Sequence, residues 1–471
     1  MKPLLFALSV VSSSLALACS SADSAAPADQ GAHGGSNASG GGAMVAGSAG
    51  NPAQAGSGSA GNASGAGGAA SGGGALGVAG SHAGSAASSA LGGAGSGGTA
   101  ANVGGSAGHA GAVSTAGSPS TGGLPGVAGG PTACTSPVAN SATRPQLSSA
   151  AAADDTTLKY FAQHGTLGSL STDNWNPTAG LGSAASFTAT ATVAADGSGS
   201  YKTVQAAINA ASGSTRQYIL VKPGTYREII SIASGKPPIT LYGVDSDATK
   251  VVIVNDQTAT SAGGTAQSAT FTSKANGLSL LNLTISNDFP SPNSTSQAVA
   301  LYTTGDTTVL ENVRLHGFQD TLYLDSSGPT VVARVYIKNS FIEGDTDFIF
   351  GRATAVIEGS TLNYLSSRKG SGSGVYLAPS TVVANNYGFL IIGCNFTADG
   401  TAPANKVSLG RSWDQGGVTP TPNGQAVVRE SKLGGHINKT APWAAAATSS
   451  RAFSATGNRF SEYCNSGAGA G

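Results

Sequence analysis

Two stretches of this chain superpose without a gap: NVRLHGFQDTLY from Asn312 and NSFIEGDTDFIF from Asn339. Their Asn, Gly, Asp and closing aromatic coincide at an offset of 27 residues. An offset of that size fits one circuit of a solenoid, and a circuit brings equivalent residues onto adjacent strands about 4.8 Å apart. The surroundings agree. Between Val251 and Val428 the strands read as short, β-branched and frequent, broken by Asn, Gly and Asp, with no helical periodicity between them. That pattern predicts an all-β stack of coils rather than a βαβ sheet. Ahead of the coils, TVQAAINAA from Thr203 sets Val204, Ala207, Ile208 and Ala211 at i, i+3, i+4 and i+7, which predicts an amphipathic helix capping the open end of the stack.

The repeat stacks Asp320 and Asp347 on one face. Asp347 adjoins Phe348, Ile349 and Phe350 in a chain where only 10% of residues are charged, and a carboxylate beside such a run needs a partner or an exposed strand end. Upstream, QAVALY from Gln297 lies 22 residues before QDTLYL, so its glutamine stacks beside Gln319 and two amides flank two carboxylates. The same register sets Tyr323 above Phe350, which begins an aromatic wall. Each feature has a bland reading as well: Asp320 as a turn cap, the glutamines as an amide ladder, Tyr323 and Phe350 as core.

Overall composition averages two different polymers. Residues 20–138 are almost wholly Gly, Ala and Ser, with too little large apolar surface to offset chain entropy, and read as a disordered tether. Residues 139–471 have ordinary composition and enough length for one large core. Lys plus Arg and Asp plus Glu are both 23, so nucleic acid is not the expected partner. Residues 1–19 carry one basic residue, a short apolar core and small residues before Cys19, the pattern of an export signal. Cys19 after Leu-Ala-Leu-Ala resembles the lipidated cysteine of bacterial lipoproteins, although Ala16 stands where those signals usually carry Leu. Ordinary cleavage nearby is the other reading. No later apolar run reaches the ~20 residues that span a bilayer, so membrane attachment is expected only through a lipid. Beyond Cys19 remain Cys134, Cys394 and Cys464, which allow one pair that the sequence does not choose.

The segments DGSGSYKTVQAAINAA, KPGTYREII, QAVAL, GFQDTLY, GDTDFIFG and LGRSW resemble, in order and spacing, the signature blocks of pectin methylesterases, from about Asp173 to Trp443. The resemblance implies a single-stranded right-handed parallel β-helix that hydrolyses galacturonate methyl esters without cofactor or metal. Its expected substrates are pectin or methylated oligogalacturonides. By matching position, Asp347 resembles the nucleophile, Asp320 the general acid and base, Gln297 and Gln319 the oxyanion donors, and Arg411 the partner of the nucleophile. Trp413 matches the sugar-stacking residue of the family's LGRPW block, with Tyr323, Phe350 and Trp443 as further candidates for the groove. Ser412 departs from the family's Pro, which is expected to loosen that turn. The YLAPSTVVANNYGF run and the long tether resemble bacterial envelope-anchored members, which implies an exported monomer on the outer membrane or cell surface, or else secreted.

These residue types suit ester chemistry in their own right. A carboxylate kept ionised by an arginine can attack, a second one facing a like charge can hold a proton, and glutamine N–H groups can receive the tetrahedral oxyanion. Asp347 with Arg411 also reads as a structural ion pair. A glycosidase would need carboxylates flanking a bond, about 5–5.5 Å apart or more, and a lyase a calcium-binding acidic cluster that the sequence lacks. A non-catalytic polysaccharide binder on a tether is the remaining alternative. GGSAG from Gly104 has no strand-turn-helix context, Tyr201 breaks the phosphate-loop likeness of GSGSYKT, and His316 and His436 lack metal-ligand spacing.

Overall fold

The computed structural model describes residue 134 and residues 137–289, 296–367, 374–415 and 420–471. The export signal, Cys19 and residues 20–133 of the tether lie outside the described residues. Seven short strands form one parallel sheet in chain order: β1 (Ile230–Ile232), β2 (Phe271–Ser273), β3 (Leu301–Thr303), β4 (Leu322–Leu324), β5 (Ile349–Gly351), β6 (Val375–Pro379) and β7 (Ser408–Gly410). Each strand belongs to a successive coil, so neighbours pair in parallel although 20 to 40 residues separate them, and the fold is a parallel β-helix. Alternation along each strand sends one side chain inward and the next outward. Phe271, Leu301, Leu322, Ile349 and Leu377 stand in one inward column, all fully buried. Burying each contributes about 1.5–3 kcal/mol.

The remaining coil walls join in a second, sixteen-stranded sheet that bends at one corner per coil. At that corner the backbone turns left-handed: Asn282, Asn312, Asn339, Gly359, Gly393, Glu430 and Cys464 all have φ between 50° and 60°. Asn and Gly tolerate this conformation at least cost, which is why Asn recurs in the repeat. The next residue of each coil satisfies the coil before it. The amides of Val313, Ser340, Ser360, Cys394 and Ser431 donate to the side chains of Ser340, Ser360, Cys394, Ser431 and Asn465 in turn. Cys394, the buried free thiol, is therefore a rung of a serine ladder, and burial pushes its pKa up to about 12.

Both ends of the stack are closed. Helix α1 (Val204–Ala210) buries Val204, Ala207 and Ile208 against the first coils, as the periodicity predicts. Thr203 caps its start, and the Glu228 carboxylate accepts the N–H groups of Val204 and Gln205 at 2.9 and 3.0 Å. At the other end Arg144 pairs with buried Glu462 at 2.8 Å, and Cys134 is disulfide-bonded to Cys464. Cys134 thus belongs to the folded body although the sequence reading assigns it to the tether, and Val138 packs on the core.

Residues 137–190 then run back along the outside, from last coil to first. Tyr160 receives Gln425, Phe161 meets Tyr336, Asp173 holds fully buried Arg334, the Leu181 amide meets Glu311, and Phe187 packs on Tyr218 and Tyr242. The strap covers the outer face of the large sheet and leaves the seven-stranded sheet to the site.

Candidate active site

Asp320 and Asp347 sit just ahead of β4 and β5, each with left-handed backbone, φ 66° and 47°. Asp is among the residues that adopt this conformation, and it turns the carboxylate out of the strand's alternation. The Asp320 amide donates to Thr346 at 3.1 Å and Gln319 bridges to Thr346, so the two aspartates occupy adjacent rungs as the 27-residue repeat predicts. The turns that carry them touch: the Asp345 amide donates to Phe318 at 2.9 Å, and Thr321 donates its hydroxyl to Glu343 at 2.9 Å. Gly344 is required there, because a Cβ would lie 2.5 Å from the Phe318 carbonyl oxygen. Both aspartates are largely covered, 9% and 8% exposed.

Arg411 follows β7, two coils beyond Asp347. Its Nε and Nη2 donate to the two carboxylate oxygens of Asp347 at 2.8 and 2.6 Å, a planar two-point pair. The register explains the reach. Tyr302, Tyr323, Phe350 and Ala378 form one outward row, and Arg411 continues it past the Leu377–Gly410 pair. Only the Ala378 methyl stands between Phe350 and Arg411 in that row, so the guanidinium can lie back across the intervening coil.

Gln297 and Gln319 also come together. The Ala298 amide donates to the Gln319 carbonyl, which keeps the 22-residue offset at the glutamines. A bulge follows. The amides of Ala300 and Leu301 both donate to Thr321, and from Leu301 onward the offset is 21, with Leu301 opposite Leu322. Among the described residues none hydrogen-bonds either glutamine side-chain amide, and both residues are half-buried beside the carboxylates.

The bulge places Tyr302, absent from the sequence reading, on the aromatic wall. Its ring stacks on Tyr323 at 4.5 Å, Tyr323 stacks on Phe350 at 4.2 Å, and Trp413 meets Tyr323 and Phe350 edge-on at 6.0 and 5.5 Å. Phe350, 3% exposed, and Tyr323, 7%, back the wall rather than face the groove, while Tyr302 and Trp413 remain half-buried. Trp443 corrects a sequence expectation. It is 3% exposed, stacks on Phe460 at 4.8 Å inside the main core and bridges to Gly410, so it fills the last coil instead of lining the groove.

Ser412 corrects another. Its hydroxyl donates to Asp414 at 2.7 Å and accepts the Gly424 amide at 3.0 Å, and Asp414 in turn holds Ser449 and Arg451. The turn between Arg411 and Trp413 is tied to two other segments rather than loosened. The Arg451, Ser449 and Ser412 hydrogen bonds outweigh burial and lower the Asp414 pKa.

A carboxylate oriented by an arginine, a second carboxyl one rung away, two glutamine amides and a partly open aromatic face can together perform acyl transfer to water. Comparison with known proteins points the same way. The profile of the Pectinesterase family matches residues 190–471. A pectinesterase of Ralstonia solanacearum is 46% identical over 370 residues, covering 70% of this chain and 93% of that protein. The structure of rice weevil pectin methyl esterase superposes with a TM-score of 0.61 at 32% identity, covering 70% of this chain and 99% of that one. A pectin methylesterase mutant in complex with a hexasaccharide superposes with a TM-score of 0.54 at 30% identity, covering 60% and 91%.

Proposed function

The chain belongs to the pectinesterase family and hydrolyses the methyl esters of pectin, and from that premise we propose the role of each group in the site. Asp347 is the nucleophile. The fork of Arg411 holds its carboxylate in one plane, and this pairing is the observation that carries the assignment. An oxygen of Asp347 attacks the ester carbon of a methylated galacturonate, and the negative charge moves to the former carbonyl oxygen. Gln297 and Gln319 donate to that oxyanion. The intermediate collapses with cleavage of the bond to the methoxy oxygen, which takes the proton of Asp320 and leaves as methanol. Asp320, now a carboxylate, removes a proton from water as the water attacks the acyl-enzyme anhydride, and the galacturonate carboxylate departs with Asp347 restored. Trp413 and Tyr302, both half-buried, offer the sugar rings aromatic surface.

Methanol release from methylated polygalacturonate by the full chain tests this reading. Asp347→Asn should abolish it while β-sheet circular dichroism and cooperative unfolding persist; a folded variant with wild-type turnover would overturn the assignment. Loss of polymer length in place of methanol release would indicate a glycosidase or lyase.

For location, the export-signal pattern and the cysteine after Leu-Ala-Leu-Ala support a lipoprotein carried on residue 19, with the catalytic body reaching outward from a bacterial envelope membrane. Membrane fractionation and fatty-acid labelling of Cys19→Ser test it, and unchanged fractionation would refute the lipid.

A further inference from the structure

A buried ion pair stands behind the aromatic wall. Asp325 and Arg352 lie two positions beyond Tyr323 and Phe350, which pair with each other, so the two are brought to adjacent rungs on the outward face. Arg352 donates its Nε to Asp325 at 2.6 Å and its Nη2 to the side-chain oxygen of Gln415 at 2.9 Å. The arginine and aspartate side chains are only 10% and 7% exposed. Asp325 also faces the phenols of Tyr302 and Tyr323, and burial, with that negative charge next, raises both phenols above the usual range. Gln415 comes two residues after Trp413 and has left-handed backbone, φ 45°.

One guanidinium therefore touches the acid against which the wall rests and the segment that carries Trp413. We propose that Arg352, through Asp325 and Gln415, is a positioning residue that sets how Trp413 sits against the Tyr302–Tyr323–Phe350 wall, and with it the affinity for a sugar ring of the pectin chain. The inference rests on the assignment of Trp413 to sugar binding made above. The charge of Arg352 is already met by Asp325, so it serves as a strut rather than as a receptor for free carboxylates. A lysine keeps the charge but replaces the planar two-nitrogen donor with one ammonium nitrogen of different reach, so it does not reproduce both bonds in this geometry.

Methanol release from a methylated oligogalacturonide, with kcat and KM resolved separately, tests the strut in the full chain. Gln415→Ala and Arg352→Lys should each raise KM about tenfold, the equivalent of one lost hydrogen bond, with kcat within about twofold of wild type. Gln415→Glu retains an acceptor for Arg352 and should return KM to near the wild-type value. A merely structural role would lower thermal stability in Gln415→Ala and Arg352→Lys and leave KM alone. Unchanged KM in Gln415→Ala, a fall in kcat instead, or failure of Gln415→Glu to restore KM would overturn the proposal. If Arg352→Lys does not fold, the two Gln415 variants still decide. A wild-type chain that releases no methanol would sink the assigned reaction, whereas an active wild type with an unaffected Gln415→Ala would sink the strut alone.

Discussion

His436 should make the folded body acid-sensitive in a way that can be isolated. The Tyr376 hydroxyl donates to the Thr397 carbonyl at 2.5 Å, so its oxygen must accept from Nε2 of His436 at 2.7 Å, which fixes the tautomer with Nδ1 unprotonated. Burial lowers the His436 pKa from 6.5 to about 4, with Asp399 opposing weakly. A depressed histidine folds neutral. Above pH 6.5 it contributes nothing to pH dependence; as pH falls from 6.5 towards 4 the unfolded chain binds a proton that the folded chain refuses, and stability is lost. At 1.36 kcal/mol per pH unit the full loss is about 3 kcal/mol, of which about 2 kcal/mol is reached by pH 5. Urea unfolding of wild type and His436→Gln from pH 7.5 to 4.5 measures it. The variant should be less stable at pH 7.5, through poorer packing, yet lose about 2 kcal/mol less on going to pH 5. Parallel stability curves for the two proteins would refute the reasoning, since other titrating groups cancel in the difference.

Further outcomes can be stated for the site and the ladder. Gln319→Ala should lower kcat by about 10²–10³ with little change in KM, because an oxyanion donor acts chiefly in the transition state; a KM effect alone would move Gln319 to substrate binding. Cys394→Ser should preserve the ladder and stability, whereas Cys394→Val leaves the Ser360 amide without its acceptor and should cost about 1–3 kcal/mol by urea unfolding. Ser412→Pro, which installs the family's residue, should destabilise rather than stabilise by about 1–3 kcal/mol, since the Gly424 amide and Asp414 each lose a partner; a rise in melting temperature would show that the Ser412 hydroxyl is dispensable.

How much of this was legible in the sequence depended on spacing. Asp320 and Asp347 could be aligned because the two segments that contain them superpose without a gap on shared Asn, Gly, Asp and aromatic positions, and the same 27-residue offset also couples Asp325 to Arg352, a pair that a longer comparison of the repeat would have found. Tyr302 was hidden by one extra residue: the bulge at Ala300 and Leu301 shifts the register from 22 to 21, so the gapless alignment set Tyr302 against Leu324. The rest of the ladder was hidden by loops of unequal length. Its successive hydrogen bonds span 27, 20, 34, 37 and 34 residues, so no single period runs through the chain. Trp443 was a candidate for the groove, but its bridge to Gly410 makes it part of the last coil, where its ring fills the core.

The bond between Cys134 and Cys464 also decides how the folded body takes a mechanical load. The 330-residue span between the two cysteines is a closed covalent loop, with the rest of the N-terminal chain joined to it at its clasp. Tension arriving from that chain passes through the sulfurs into the last corner of the stack and by-passes residues 137–190. Without the bond the same tension would enter at the strap and peel it, starting from Arg144 and advancing one contact at a time towards the first coil. With the bond intact, load entering at Cys134 is shared with Cys464, so residues 137–190 are not the first to carry it.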